Sequence, residues 1–347
     1  MNSLLSRRDF LKLGMLSTAG LAFTPFIPED VSSKNSNIAR VAIKSVSVYS
    51  EPSDKSRIVY TKYRDELLNI YYEVVSEDGP GYNPIWYRVW RGYVHSGRLQ
   101  LVKNRLNHVT NKIPETGLLS EITVPYSQSM RYTKHNGWQP LYRLYYGTVH
   151  WIVGLDEGPD GQEWYRIEDE ADSQYIYNIP ASHLRIVQPE ELTPISMDIP
   201  PEKKRIEVSI SQQTLTAYEY DNVVMQTKIS SGIPDSNPPP GQIKTDTPSG
   251  IFNIQVKMPS KHMGDGYLTA DIDAYELPGV PWVCFFEPVT GVATHGTYWH
   301  TNYGMTMSKG CVNMRTEEAK WLYRWTTPIA DHTQWDSKGL GTKVLVL

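Results

Sequence analysis

Cysteine is almost absent from this chain: two in 347 residues, Cys284 and Cys311. At most one disulfide can form. Phenylalanine is scarce too, six against 23 tyrosines and ten tryptophans. The aromatic complement is therefore amphipathic, suited to small β-barrel cores and to surfaces that stack on sugars or peptides. No sign of charge dominates. Against 34 Lys and Arg stand 38 Asp and Glu, a net charge of −4, so there is no basic field and nucleic acid is excluded as the main partner. Beyond the first 23 residues no apolar run approaches the ~20 residues of a spanning helix. What remains is of ordinary globular composition, 40% hydrophobic and 21% charged, and long enough for two or three domains.

The N-terminus reads as an address. Ser6-Arg7-Arg8-Asp9-Phe10-Leu11-Lys12 precedes an apolar stretch, Leu13 to Phe23, interrupted by Gly, Ser and Thr. It resembles a twin-arginine export signal, which implies the twin-arginine export machinery as a partner and an envelope location, periplasm or cell wall. Cargo of that route folds in the reducing cytosol, so a Cys284–Cys311 bridge is not the expectation, although secretion alone would favour one. Cys284 lies in Trp282-Val283-Cys284-Phe285-Phe286, an apolar run that reads as a buried strand in which the thiol behaves as a small hydrophobe.

Residues 1–39 are expected to be signal and linker, the segment 24–39 being rich in Pro, Ser, Asn and Asp. From 40 to 104 short β-runs separated by Gly, Pro and Asp turns predict a small barrel. Residues 117–188 repeat the plan, opening on Ile122 to Ser127. Trp164-Tyr165-Arg166-Ile167 echoes Trp86-Tyr87-Arg88-Val89, and Leu184-Arg185-Ile186-Val187 echoes Leu99-Gln100-Leu101-Val102. Internal repetition points to duplicated modules. Both units resemble bacterial SH3-like domains, which implies attachment to the cell wall. A Pro- and Glu-rich connector, 189–202, leads to a third domain, 203–347. There Ile206, Val208 and Ile210 alternate as in a half-buried strand. Gln213 to Tyr220 predicts a second strand, and Pro238-Pro239-Pro240-Gly241 forbids regular structure. Thr316 is the expected N-cap of a short helix with acids in its first turn. The fold class is mostly β, two small barrels and a β-rich third domain, with one short helix.

Chemistry concentrates in His295-Gly296-Thr297 and Ser308-Lys309-Gly310-Cys311-Val312-Asn313. A cysteine nucleophile acts as thiolate, and an ordinary thiol has a pKa of about 8.5. A neighbouring imidazole takes its proton and a third group fixes the imidazole. His295 fits the base, with a backbone carbonyl near Gly296 holding its other ring nitrogen. The glycine before Cys311 lets a carbonyl substrate approach the backbone, so that the N–H groups of Gly310 and Cys311 face an oxyanion.

These motifs, with Ile206-Glu207-Val208-Ser209, Gln213-Thr214-Leu215, Ser230-Ser231-Gly232, Thr247-Pro248-Ser249-Gly250 and Leu277-Pro278-Gly279-Val280-Pro281-Trp282, resemble in order the L,D-transpeptidase (YkuD-type) catalytic domain. The resemblance implies Cys311 as nucleophile, His295 as general base and acid, and Ser308, Gly310 and Asn313 as groups shaping the substrate site; Lys309 is placed with them, and His300 either lines the substrate groove or is the base in place of His295. It implies peptidoglycan stem peptides as substrate, with no metal and no organic cofactor. Most members carry His where Lys309 stands. In an extended segment Lys309 and Cys311 share a face, so the ammonium either favours the thiolate or points to water. Three other readings stand beside this one. His295, His300, Cys311 and His262 are a possible zinc set, although their spacing is not that of a metalloprotease helix. A non-enzymatic wall-binding protein would leave His295 and Cys311 without a task. A papain-like enzyme would place its Cys before its His, the reverse of the order here.

Overall fold

The computed structural model describes residues 37–235 and 244–347. The expected export signal and the 238–240 proline run lie outside the described residues. The structure is mostly β, with a single α-helix among the described residues.

The first unit comprises β1 (Asn37–Val41), β2 (Ser45–Tyr49), β3 (Ile58–Tyr63), β4 (Leu67–Ile70), β5 (Tyr72–Val75), β6 (Ile85–Val89), β7 (Gly92–His95) and β8 (Leu99–Val102). They form two sheets, β4-β1-β8 and β3-β2-β7-β6-β5. Between them lies a core of Ala39, Val41, Val48, Val89, Val94 and Leu99. The expected linker ends sooner than residue 39: Ala39 is buried and pairs with both Leu68 and Leu101. The run Leu67 to Tyr72 is not one strand. It breaks at Tyr71 because β4 pairs with β1 in one sheet and β5 with β6 in the other.

The second unit comprises β9 (Leu118–Ile122), β10 (Tyr126–Thr133), β11 (Gly137–Tyr145), β12 (Val149–Glu157), β13 (Glu163–Asp169), β14 (Asp172–Pro180) and β15 (Leu184–Ile186), in the order β11-β10-β14-β13-β12-β9-β15. The expected strand Ile122 to Ser127 is interrupted between β9 and β10 at Thr123-Val124-Pro125, where the proline offers no N–H to a ladder. The repeat read in the sequence has a structural counterpart. Trp86 and Trp164 are buried on β6 and β13, and Leu99 and Leu184 each follow a 3-10 turn, Ser96–Arg98 and Ala181–His183.

The third unit comprises β16 (Lys204–Ser209), β17 (Thr214–Glu219), β18 (Asn222–Lys228), β19 (Gly250–Asn253), β20 (Val256–Gly264), β21 (Glu276–Glu287), β22 (Val292–Gly296), β23 (Val312–Met314), α1 (Thr316–Trp325), β24 (Ser337–Lys338) and β25 (Lys343–Val346). Its sheets are β18-β17-β16-β25-β19 and β23-β22-β21-β20-β24. Helix α1 buries Ala319, Leu322, Tyr323 and Trp325 against the second sheet. Its N-cap is Arg315, one residue before the expected Thr316, and makes no side-chain cap; Glu317 and Glu318 complement the first turn. At the other end two buried lysines satisfy carbonyls that the helix leaves open. Lys204 Nζ donates to Trp325 O at 3.0 Å, and Lys257 Nζ to Thr326 O at 2.8 Å and Pro328 O at 2.9 Å. Burial lowers the Lys257 ammonium to about 8.

The units interlock. Leu119, Val149, Trp151 and Val187 of the second unit share one core with Ile206, Trp282, Phe286 and α1 of the third. The first unit reaches the third at Gly97 and Thr301, where Thr301 N–H donates to Gly97 O at 3.1 Å. Asn302 packs so closely there that a β-carbon on Gly97 would lie 1.7 Å from its Oδ1.

Candidate active site

Strands β22 and β23 are parallel neighbours, with Thr294 opposite Val312 and His295 opposite Asn313. Alternate strand residues share a face. Val312 and Met314 therefore face the core beneath α1, while Asn313 faces the other way, opposite His295. The pairing brings Cys311, the residue just before β23, close to the neighbouring strand that carries His295.

Cys311 is half-buried, and its Sγ lies 3.5 Å from the carbonyl oxygen of Gly291. Burial pushes the thiol up to about 11. The resting group is the protonated thiol, and attack needs a base. The expected base is His295. It is 2% exposed, and burial lowers its imidazole to about 4, so the ring is neutral at neutral pH. Its Nδ1 lies 2.9 Å from Gly296 O. A carbonyl only accepts, so Nδ1 carries the proton and Nε2 keeps its lone pair. Gly296 itself is confined: a β-carbon would meet Pro281 Cγ at 2.9 Å and Thr316 Cα at 3.1 Å.

The loop before Cys311 is hooked from several sides. Gly310 has φ +120°, a conformation that L side chains rarely adopt. Its N–H, the expected oxyanion donor, is bonded to Ser308 Oγ at 3.1 Å, and the Ser308 hydroxyl donates to Cys311 O at 2.5 Å. The Gly310 carbonyl accepts from Thr247 Oγ1 at 2.6 Å, and Thr247 Oγ1 accepts from Gly232 N–H at 2.8 Å. Two motifs that the sequence offered without a role, Ser230-Ser231-Gly232 and Thr247-Pro248-Ser249-Gly250, thus hold the nucleophile loop.

Lys309 is exposed, its ammonium 3.6 Å from the centroid of the Tyr275 ring. His300 and Asn313 are brought together, Asn313 Nδ2 donating to His300 Nε2 at 2.9 Å. Both are almost wholly buried; as folded they brace the site from within rather than present polar atoms to a substrate. The zinc set does not assemble. His262 is held by Asp169 through Nδ1 (2.8 Å) and Glu276 through Nε2 (2.9 Å), at the junction with the second unit. Cys284 is buried on β21 with a free thiol, and no disulfide joins it to Cys311.

Three aromatic residues at the site escaped the sequence reading. Burial and the proximity of Cys311 both raise the Tyr275 phenol. Trp299 lies with its ring 5.8 Å from that of His295 and packs edge-on against Tyr298. Their only sequence signal is a general richness in Tyr and Trp.

Residues 203–346 match the YkuD family, described as the L,D-transpeptidase catalytic domain. Among solved structures, an L,D-transpeptidase from Xylanimonas cellulosilytica is 23% identical over 43% of this chain and 62% of its own, with a TM-score of 0.30. The match thus spans less than two thirds of that protein. The catalytic domain of the Enterococcus faecium L,D-transpeptidase is 27% identical over 42% of this chain and 98% of its own, with a TM-score of 0.30. The Mycobacterium smegmatis L,D-transpeptidase is 16% identical over 53% of this chain and 90% of its own, with a TM-score of 0.32. A search of curated proteins found no match. Residues 203–346 thus carry a YkuD-family match, that of the L,D-transpeptidase catalytic domain.

Proposed function

We propose that this chain is an exported peptidoglycan L,D-transpeptidase that forms 3–3 crosslinks between stem peptides through an acyl-thioester on Cys311. The observation that supports the reading is the parallel pairing of β22 with β23, which brings His295, its Nδ1 on the Gly296 carbonyl, beside the strand that Cys311 immediately precedes.

The steps follow from that geometry. The Cys311 thiol gives its proton to His295 Nε2 and the thiolate attacks the carbonyl joining an L-centre to the terminal D-residue of a stem tetrapeptide. A C–S bond forms and the carbonyl oxygen takes negative charge, facing the backbone N–H groups of Cys311 and Gly310. For Gly310 to serve, its N–H must exchange Ser308 Oγ for the oxyanion. The C–N bond then breaks, and the leaving D-alanine amine takes the proton from His295. The side-chain amine of a second stem attacks the thioester, restoring the thiol and leaving a crosslink. With water as acceptor, the same thioester makes the protein an L,D-carboxypeptidase. The residues need no metal and no organic cofactor for this sequence. The two front units, on their SH3-like sequence pattern, attach the enzyme to the wall, and the N-terminal segment directs it to the twin-arginine export machinery.

Imipenem, a β-lactam that acylates active cysteines of this family, tests the nucleophile. A mass adduct is expected on the intact protein, absent in Cys311→Ala and present in Cys284→Ala. No adduct, or one on Cys284, overturns the assignment. Muropeptide analysis after incubation with tetrapeptide donors then separates crosslinking from trimming.

A further inference from the structure

A cavity of about 90 Å³ lies where all three units meet. The first unit contributes Arg40 and Arg64, the second Tyr142, Arg143 and Tyr145, and the third the loop Thr269 to Pro278 with Tyr298 and Trp299. Three buried polar atoms on residues lining this cavity have no hydrogen-bond partner: Arg64 Nε, Arg143 Nε and Tyr298 Oη. Tyr298 is 4% exposed. Leaving such a group without a partner is costly, and three on one cavity mark a place built for something else to bond.

The guanidiniums are held so that these edges stay open. Asp65 takes Arg40 Nη1 at 2.8 Å and Arg143 Nη1 at 2.6 Å, while Asp273 takes Arg64 Nη2 at 3.0 Å. Both Nη atoms of Arg64 and the Nη1 of Arg143 are engaged by protein, and neither Nε–H is. All three open groups are donors, since burial keeps the Tyr298 phenol protonated. Donors of this kind, two of them cationic, fit a carboxylate or a phosphate. The wall also carries Asp271 and Glu276, which oppose a second negative charge. A singly charged carboxylate satisfies both constraints.

We propose that this cavity is a carboxylate subsite that receives the free acid end of a peptide through Arg64, Arg143 and Tyr298. Its position bears on the catalytic site. Trp299 lines it and also neighbours His295. Ala274 and Glu276 line it while Tyr275, between them, meets Lys309. Naming the peptide as a stem rests on the acyl-transfer reading above; the carboxylate chemistry does not.

Binding to full-length Cys311→Ala protein, followed by NMR, tests the subsite with three probes: acetyl-D-alanine, its C-terminal amide and inorganic phosphate. The acid is expected to bind, with the amide and phosphate each at least about tenfold weaker. Arg64→Gln and Arg143→Gln are each expected to weaken the acid by about tenfold, the loss of one charged hydrogen bond. Should either arginine variant fail to fold, Tyr298→Phe decides, since it removes a hydroxyl that bonds nothing in the protein and keeps the ring stacked on Tyr145. Equal binding of acid and amide, preference for phosphate, no binding of the acid, or unchanged binding in Tyr298→Phe overturns the proposal. Imipenem acylation of Cys311 in otherwise native protein reports the catalytic reading separately: an adduct without acid binding sinks the subsite alone, and acid binding without an adduct sinks the catalytic reading alone.

Discussion

The ammonium of Lys309 rests on the face of Tyr275, 3.6 Å from the ring centroid, and the electrostatic influence of Cys311 reaches the same phenol. The contact gives Lys309 a task other than proton transfer: it holds an aromatic ring near Cys311. A pair of this type at an exposed site is worth about 0.5–1 kcal/mol. Lys309→Ala is expected to slow imipenem acylation by about two- to tenfold, and Tyr275→Ala by a similar factor. The double variant should be no slower than the worse single one, because both remove the same contact. Multiplicative losses would show that the two residues act apart.

Neutral His295 and protonated Cys311 set the pH profile. The imidazole accepts a proton only above its lowered value of about 4, so acylation should hold steady through neutrality and fall only as pH drops through about 4. An unperturbed histidine would bring that fall near 6.5. His295→Ala should cost about 10²–10⁴-fold at neutral pH. Its residual rate should then climb with pH toward the thiol's own ionisation at about 11. A loss centred near 6.5 in the native protein would move the base role to another group.

Gly310 tests the loop that presents Cys311. Its φ of +120° admits no ordinary side chain, and forcing one costs about 1–3 kcal/mol. Gly310→Ala should lower the melting temperature and slow acylation together, since its N–H and C=O tie Ser308 and Thr247 to the nucleophile. A variant that melts and reacts like the native protein would show that the loop tolerates another path.

The buried His262 couples the second unit to the third through carboxylates on both sides. Burial alone would lower its pKa, but the hydrogen bonds and charges of Asp169 and Glu276 outweigh it and the net shift is upward. Glu170 nearby is taken by Lys261 at 2.9 Å, and the Tyr142 ring packs edge-on. A histidine with a raised folded pKa stabilises fully below its unfolded value of ~6.5 and loses that contribution as pH rises through the folded value. The stability difference between native protein and His262→Gln, read by urea unfolding, should therefore be larger at pH 6 than at pH 9. A difference independent of pH would show that the ring is neutral throughout.

How much of this was legible beforehand depends on the range of the interaction. Cys311 and His295 stand in a dense local motif, and the alternation of Ile206 and Val208 named a strand that is there. Errors of segmentation arose where the partner decides. Nothing within Leu67 to Tyr72 says that its two halves belong to different sheets, and the run around Pro125 looked continuous because its flanks are apolar. The contacts of Tyr275, Tyr298, Arg64 and Arg143 join residues far apart in sequence. They depend on how the units pack, and no local pattern records that.

The close fit of Gly97 against Asn302 has a consequence for how the chain can be taken apart. Modules strung before an enzyme are commonly interchangeable, like beads on a thread. Here the first bead touches the stretch that runs from His295 to Cys311, through Thr301 and Asn302. Exchanging it for another module, or trimming it away, strips a supporting contact from the segment between His295 and Cys311, so the first unit is not a freely replaceable part.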